Sequence, residues 1–193
     1  YLRENGETRR LRFHDYAEIY KRPGLYEQIF YDRLKCNSPV KVADLLQRAL
    51  NTVREPLSEL RVLDLGAGNG MMGDSLKRDG VARLVGADII PEAREAAYRD
   101  RSEVYDEYYV ADFGKLNADT LEELREWSFD CLTCVAALGF GDIPPRAFFN
   151  AMKLIRTDGW LAFNIKETFL DHTEHTGFSR LVRELIFSKY LDI

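Results

Sequence analysis

Val62–Gly70 reads VLDLGAGNG: a strand over Arg61–Leu65, apolar at Val62, Leu63 and Leu65, runs into the loop Gly66-Ala67-Gly68-Asn69-Gly70. A short apolar run that ends in a glycine loop is the pattern of a strand buried on both faces, as parallel sheets require. Glycines let the backbone come close to a ligand, and the next stretch, MMGDSLKRDG, reads as a helix stopped by Gly80. The first N–H groups of that helix point back at the loop, where they favour a polar or negative group.

Working outward, the same alternation repeats. RLVGAD (83–88) is a second strand, and Pro91 opens the helix EAREAAYRDR, where Glu95 and Arg99 are spaced for an i,i+4 pair. YYVAD (108–112) is a third strand, and Leu121, Leu124 and Trp127 mark a helix between Asp119 and Trp127. FDCLTCVAAL (129–138) is a long buried strand, Pro144-Pro145 begins a helix reaching Ile155, WLAFNI (160–165) is a fifth strand, and Phe178–Tyr190 is helical. Strands alternating with helices imply right-handed βαβ crossovers. The expected fold is α/β: Rossmann-like and doubly wound, a mostly parallel sheet with helices on both faces.

Upstream, the chain reads as helical to about Arg54. Ser38-Pro39 is a helix start, followed at helical spacing by Val42, Leu45, Leu46, Ala49, Leu50 and Val53. Phe13–Tyr20 and Leu25–Leu34 are shorter aromatic-rich segments, and five of the ten tyrosines fall between Tyr1 and Tyr31. One domain over 1–193 is expected, with an N-terminal helical cap over 1–54 and an α/β core over 61–193. A fifth strand left at the sheet edge would be unprotected, so two further C-terminal strands are expected to be missing from this sequence. The start at Tyr1 rather than Met reads as a trimmed end.

With 46% hydrophobic and 31% charged residues over 193 residues, the composition is that of a globular chain with a proper core. No apolar run approaches the ~20 residues that span a bilayer, and YLRENGETRR lacks the apolar stretch of a secretory signal. The net charge is −5 and the basic residues are scattered; the Arg9, Arg10, Arg12 group reads as a solvated end, so nucleic acid is a poor substrate candidate. Three cysteines make no disulfide framework. Cys131 and Cys134, three steps apart on a strand, point to opposite faces as apolar core thiols, which suits a reducing, cytoplasmic setting.

Three features fall at successive strand C-termini, where open α/β sheets take ligands: the Gly66–Gly70 loop, Asp88 and Asp112. Asp88, 20 residues beyond Gly68, is placed to accept both hydroxyls of a ribose. Asp112 is placed to accept from an adenine amino group, with the Phe113 ring over the base. Gly68-Asn69-Gly70-Met71-Met72-Gly73 also satisfies G-x-G-x-x-G, so an NAD(P)-dependent oxidoreductase is the natural rival. Two residues tilt the choice. Asp64 charges the first strand where dinucleotide folds keep an apolar residue, and it can anchor the loop and approach the cationic end of a sulfonium cofactor. Asp112 adds a base-binding acid that the oxidoreductase fingerprint does not require.

VLDLGAGNG resembles motif I of class I S-adenosylmethionine-dependent methyltransferases, GADIIPEAREAA motif II, and VADF motif III. FDCLTCVAAL is similar to their fourth-strand motif and LIRTDGWLAF to the segment leading into the fifth, with Thr157-Asp158-Gly159 where relatives often carry Pro-Gly-Gly. The resemblance covers roughly Arg61 to Ile165. It implies S-adenosylmethionine as cofactor. Asp64, Gly66, Gly68 and Gly70, with Ala67 between them, would line the methionine end, and Asp88 and Ile89 the ribose. Asp112 and Phe113 would hold the adenine, and Val135, Ala136 and Ala137 the sulfonium. VAALGFGDIP and the region around Tyr16–Tyr20 are similar to small-molecule methyltransferases, and more faintly to the Williams–Beuren-region methyltransferase-like proteins. In the family an N-terminal helical segment of this kind often forms a lid.

The acceptor side is less determined. No N/D-P-P-Y or N-P-P-F follows the fourth strand, which disfavours the amino-methylating DNA, RNA and glutamine enzymes. His14, Tyr16 and Tyr20 are candidates to close over the cofactor; Tyr16, Tyr20, Phe140 and Lys166 are candidate acceptor contacts; His14, Tyr20 and Glu167 are weak candidates for a base. The same aromatics read equally well as packing between helices and sheet. His172 and His175 read as part of a polar loop, because H-x-x-H without a third ligand makes no metal site. A cofactor-binding regulatory module without catalysis is the remaining alternative.

Overall fold

A computed structural model describes residues 1–138, 142–169, 171 and 177–192. Leu2–Glu4 (β1) and Glu7–Arg9 (β2) pair antiparallel. The cap follows: Tyr16–Tyr20 (α1), Leu25–Glu27 (α2) widening into a π-type turn over Gln28–Arg33, and Ser38–Val53 (α3). The core then alternates Arg61–Leu65 (β3), Met71–Arg78 (α4), Arg83–Asp88 (β4), Pro91–Asp100 (α5) and Glu107–Val110 (β5). It continues with Ala118–Glu126 (α6), Phe129–Cys134 (β6), Pro145–Met152 (α7), Ile155–Phe163 (β7) and Phe178–Phe187 (α8).

The core sheet is parallel throughout, in the order β5-β4-β3-β6-β7. From β3 the chain winds outward first through β4 and β5, then crosses to β6 and β7 on the other side. The reversal leaves a crevice at the C-terminal ends of β3 and β6, the position where such sheets take ligands. Side chains alternate along each strand and divide the core in two. Val62 and Cys131 face a layer that includes Leu46 of α3, Leu76 of α4 and Ala97 of α5; Leu63, Leu132 and Cys134 face Leu124 of α6, Phe148 of α7 and Leu185 of α8. The doubly wound architecture is therefore as expected, and the two thiols point to opposite faces, buried and free.

Several local expectations need correction. The first residues are a hairpin rather than helix, because Asn5 and Gly6 both take positive φ (51° and 82°), the geometry of a two-residue primed turn. Helix α1 starts only at Tyr16, where Asp15 accepts the N–H of Arg12 (2.8 Å) and closes a turn before it. On α3, Leu45 and Val53 face solvent; Val42, Ala43, Leu46 and Leu50 carry the packing. Strand β6 ends at Cys134 because Ala136 turns to φ 56°. Strand β7 begins at Ile155, earlier than expected, and bulges: Ile155 pairs with Phe129 and Trp160 with Cys131, so Thr157-Asp158-Gly159 lies in the bulge. Arg99 does not pair with Glu95; it reaches Asp100 (2.7 Å) and the Tyr20 carbonyl (2.9 Å), tying α5 to the cap. Among the described residues no helix is long and apolar enough to cross a membrane.

Candidate active site

The crevice opens into a cavity of about 360 Å³ at the C-terminal ends of β3, β4 and β6. Its floor begins at Gly66, at φ 72°, where a Cβ would stand 2.8 Å from Ile143 Cδ1 and 2.9 Å from Ala137 Cβ. The loop is bent into place by the neighbouring strand: the N–H groups of Gly66 and Ala67 both donate to the Ala87 carbonyl (2.8 and 3.1 Å). Ala67 is itself buried in the core, and Gly70 caps α4. Ala67, Gly68 and Gly70 support the loop without lining the cavity.

Asp88 lies at the cavity wall with both oxygens engaged by backbone: Oδ2 accepts the Gly68 N–H and Oδ1 the Ile90 N–H, each at 3.0 Å. Burial pushes its carboxyl pKa up, against the pull of those two N–H groups. Ile89 beside it is exposed and also lines the wall. Asp112 lies two residues past β5, where its Oδ1 accepts the Gly114 N–H (2.8 Å) and closes a turn that fixes the carboxylate on the cavity. Phe113 also lines the cavity, but is almost wholly buried in the core. Val135, Ala136 and Ala137 complete this side; the left-handed Ala136 is held by its N–H donating to Asn164 Oδ1 (2.7 Å).

Asp64 does not reach the cavity. It is buried beneath the loop, accepting the Tyr105 hydroxyl through Oδ2 and the Thr133 hydroxyl through Oδ1, each at 2.7 Å. Burial outweighs these two bonds and raises its pKa to about 6. The register explains the pairing with Thr133, which stands directly across β3 and β6 from Asp64. Tyr108 completes the underside by donating from its hydroxyl to the Gly68 carbonyl (2.8 Å).

The cap brings His14, Tyr16, Tyr20 and Tyr26 to the cavity. Tyr20 is buried, with its hydroxyl 2.5 Å from where a Gly68 Cβ would stand. His14 Nδ1 lies 3.3 Å from Asp142 Oδ2, and both line the mouth. Tyr26 and Asp142 are lining residues that the sequence reading missed. Tyr26 belonged to a segment already recognised as aromatic, which was a usable signal; the pairing of Asp142 with a residue 128 positions away left none in the sequence. Lys166 and Glu167 are exposed, in and beside a 3-10 turn at Glu167–Phe169, and neither lines the cavity. Phe140, His172 and His175 lie outside the described residues.

The lining chemistry tests which nucleoside fits. Among the described residues it includes three carboxylates, Asp88, Asp112 and Asp142, and neither Lys nor Arg. Such a site accepts hydrogen bonds from hydroxyl and amino groups and favours a positive ligand, and its described side chains offer no cation to the two phosphates of a dinucleotide. The fold and this cavity together define a Rossmann-like nucleoside-binding protein of the S-adenosylmethionine-dependent methyltransferase class.

Comparison with known proteins agrees. The chain belongs to a methyltransferase domain family, whose profile matches residues 63–163, more than half of its length. It is 26% identical over 108 residues to a ubiquinone biosynthesis O-methyltransferase of Nitrosomonas europaea, an alignment covering 56% of this chain and 44% of the relative. The chain thus spans less than half the length of that curated relative. In fold it is similar to a putative S-adenosyl-L-methionine-dependent methyltransferase of Methanococcus maripaludis (TM-score 0.57, 11% identity, 96% of this chain and 77% of that one). It is also similar to magnesium protoporphyrin IX methyltransferase of Synechocystis PCC 6803, solved with S-adenosylmethionine bound (TM-score 0.56, 15% identity, 87% and 82%). The family match favours the methyltransferase over the dinucleotide oxidoreductase.

Proposed function

We propose that this protein binds S-adenosylmethionine in the β3–β4–β6 cavity and transfers its methyl group to a small molecule, working in the cytoplasm as one domain. The observation that carries the reading is the pair Asp88 and Asp112 on a cavity floored by Gly66, with no basic residue among its described lining. In this reading Asp88 and Ile89 take the ribose, Asp112 and Phe113 the adenine, and Gly66 with Val135–Ala137 the sulfur. Asp64 acts from below, holding the loop through Tyr105 and Thr133.

When bound, S-adenosylmethionine supplies an electrophilic methyl carbon, which bonds to the acceptor as its bond to sulfur breaks and S-adenosylhomocysteine is left. The chain's part is to align the acceptor and keep water out, for which Tyr16 and Tyr20 of the cap are placed. The curated relative's name supports an oxygen acceptor. A hydroxyl acceptor must lose its proton, and His14, steadied by Asp142 at 3.3 Å, is the group at the mouth suited to take it. The carboxylate lining favours a neutral or cationic acceptor over a carboxylate or phosphate.

Calorimetric titration with S-adenosylhomocysteine and, separately, with NADH tests the reading. Micromolar binding of the first and none of the second is expected. Tight NADH binding without any of the homocysteine nucleoside would refute it, and cofactor binding without turnover over a wide acceptor panel would leave a regulatory module.

A further inference from the structure

Among the described residues seven other than glycine take positive φ, and Ala136, at 56°, is the one that lines the cavity. The left-handed region disfavours L-residues, and alanine has no polar side chain to offset the strain locally as Asn or Asp can. The turn is also where this part of the wall is made. It follows the end of β6 at Cys134 and sets Val135, Ala136 and Ala137 along the cavity, with Ala137 Cβ 2.9 Å from where a Gly66 Cβ would stand. A strained turn in that place needs support from outside its own segment.

The support comes from the end of β7. Asn164, one residue past that strand, accepts the Ala136 N–H through Oδ1 at 2.7 Å, across 28 residues of sequence. Its own Nδ2 donates to Ser38 Oγ at the start of α3, a long bond of 3.5 Å that still fixes which way the amide faces. Asn164 thus joins the cap, the loop after β6 and the sheet edge, and it does so without lining the cavity itself. Ala136 is exposed, so water can replace the Asn164 oxygen until a ligand covers the turn. The bond therefore weighs on ligand affinity more than on folding.

From this geometry we infer that Asn164 is a positioning residue: it holds the Ala136 turn left-handed and so sets the cavity wall at the sulfur end of the cofactor. The inference rests on the cofactor assignment proposed above. It gives a residue of the far strand, remote in sequence from every glycine and acid of the cavity, a share in ligand binding.

Calorimetry with S-adenosylhomocysteine on the whole chain tests it, with thermal denaturation alongside. Asn164→Ala is expected to weaken binding about fivefold. Asn164→Asp, which keeps an oxygen for the Ala136 N–H, should stay within about twofold of wild type. The decisive arm is Ala136→Gly. Glycine enters the left-handed region without strain, so adding it to Asn164→Ala should bring affinity back to within about twofold of wild type. A merely structural Asn164 would not respond to a glycine at that position. Unchanged affinity in Asn164→Ala, or a loss that the glycine does not relieve, overturns the inference and leaves the cofactor assignment standing. Should Asn164→Ala fail to fold, Asn164→Ser, whose shorter side chain also leaves the N–H unmet, takes its place in both comparisons. Wild-type protein that binds no S-adenosylhomocysteine overturns the cofactor assignment and the inference with it.

Discussion

The Gly68 N–H donates to Asp88 Oδ2 at 3.0 Å, so the carboxylate placed to meet a ribose is also the peg that holds the glycine loop. One side chain thus couples the shape of the cavity floor to its polarity. Replacing Asp88 by Ala removes the acceptor for two backbone N–H groups, those of Gly68 and Ile90. Affinity for S-adenosylhomocysteine should fall at least about tenfold and stability by about 1–3 kcal/mol, because the freed groups lie in a partly buried wall. Calorimetry and thermal denaturation read the two effects, and near-wild-type affinity would count against the ribose assignment.

Gly66 offers a sharper test of the floor. An alanine there must adopt φ 72° and place its Cβ within 3 Å of both Ile143 and Ala137, and neither neighbour is a long flexible chain. Gly66→Ala is therefore expected to cost about 1–3 kcal/mol in stability and to abolish measurable cofactor binding, because the displaced atoms line the cavity itself. A variant that folds and binds S-adenosylhomocysteine like wild type would show that the ligand does not sit on this loop.

These two positions show what the sequence made legible. β3 and β4 were readable to the residue, because an apolar run between a charged residue and a glycine or acid leaves little freedom for a strand buried on both faces. Asp88 and Asp112 were readable by spacing, since strand ends converge on one edge of a parallel sheet. The N-terminal hairpin was also written locally, in Asn5-Gly6, and the aromatic richness of the segment obscured it. Asp64 was misplaced for a different reason: its partners Tyr105 and Thr133 lie 41 and 69 residues away, and only the packed sheet reveals that both its oxygens are consumed. Arg99 likewise turns from Glu95 to its neighbour Asp100 and to the Tyr20 carbonyl, the latter a tertiary bond that helical spacing does not encode.

Asp64 carries a pH signature. Its pKa is raised to about 6 by burial, against 3.8 for the free side chain, so between those values the folded chain holds a proton that the unfolded chain has released. Stability should therefore decrease as pH rises from about 4 to about 6, by up to about 3 kcal/mol from this group. Asp64→Asn, which cannot titrate, should flatten that part of the stability–pH profile measured by urea denaturation. A profile unchanged by the substitution would mean that Asp64 stays ionised in the folded chain.

At the opposite end of the strands, Asp130 makes a clamp with the reverse sign. Its carboxylate accepts the Arg61 backbone N–H and the Arg61 Nε at 2.9 Å each, and the Arg156 Nε at 2.9 Å; Arg156 continues to Glu55 at 2.6 Å. The Arg61 bonds lead in pulling its pKa down to about 2, with Arg156 adding to them. The resulting stabilisation is complete above the ordinary carboxylate range and is lost as pH falls through about 2. Asp130→Ala leaves the Arg61 backbone N–H without its acceptor and releases two half-exposed guanidinium groups at the start of β3 and in the β7 bulge, so a loss of about 1–2 kcal/mol at neutral pH is expected, together with a flatter acid limb. Because the clamp lies at the strand N-termini and the cavity at their C-termini, the folded fraction of this variant should bind S-adenosylhomocysteine within about twofold of wild type. Affinity lost in step with stability would instead show that the sheet transmits strain along β3 from Arg61 to Gly66.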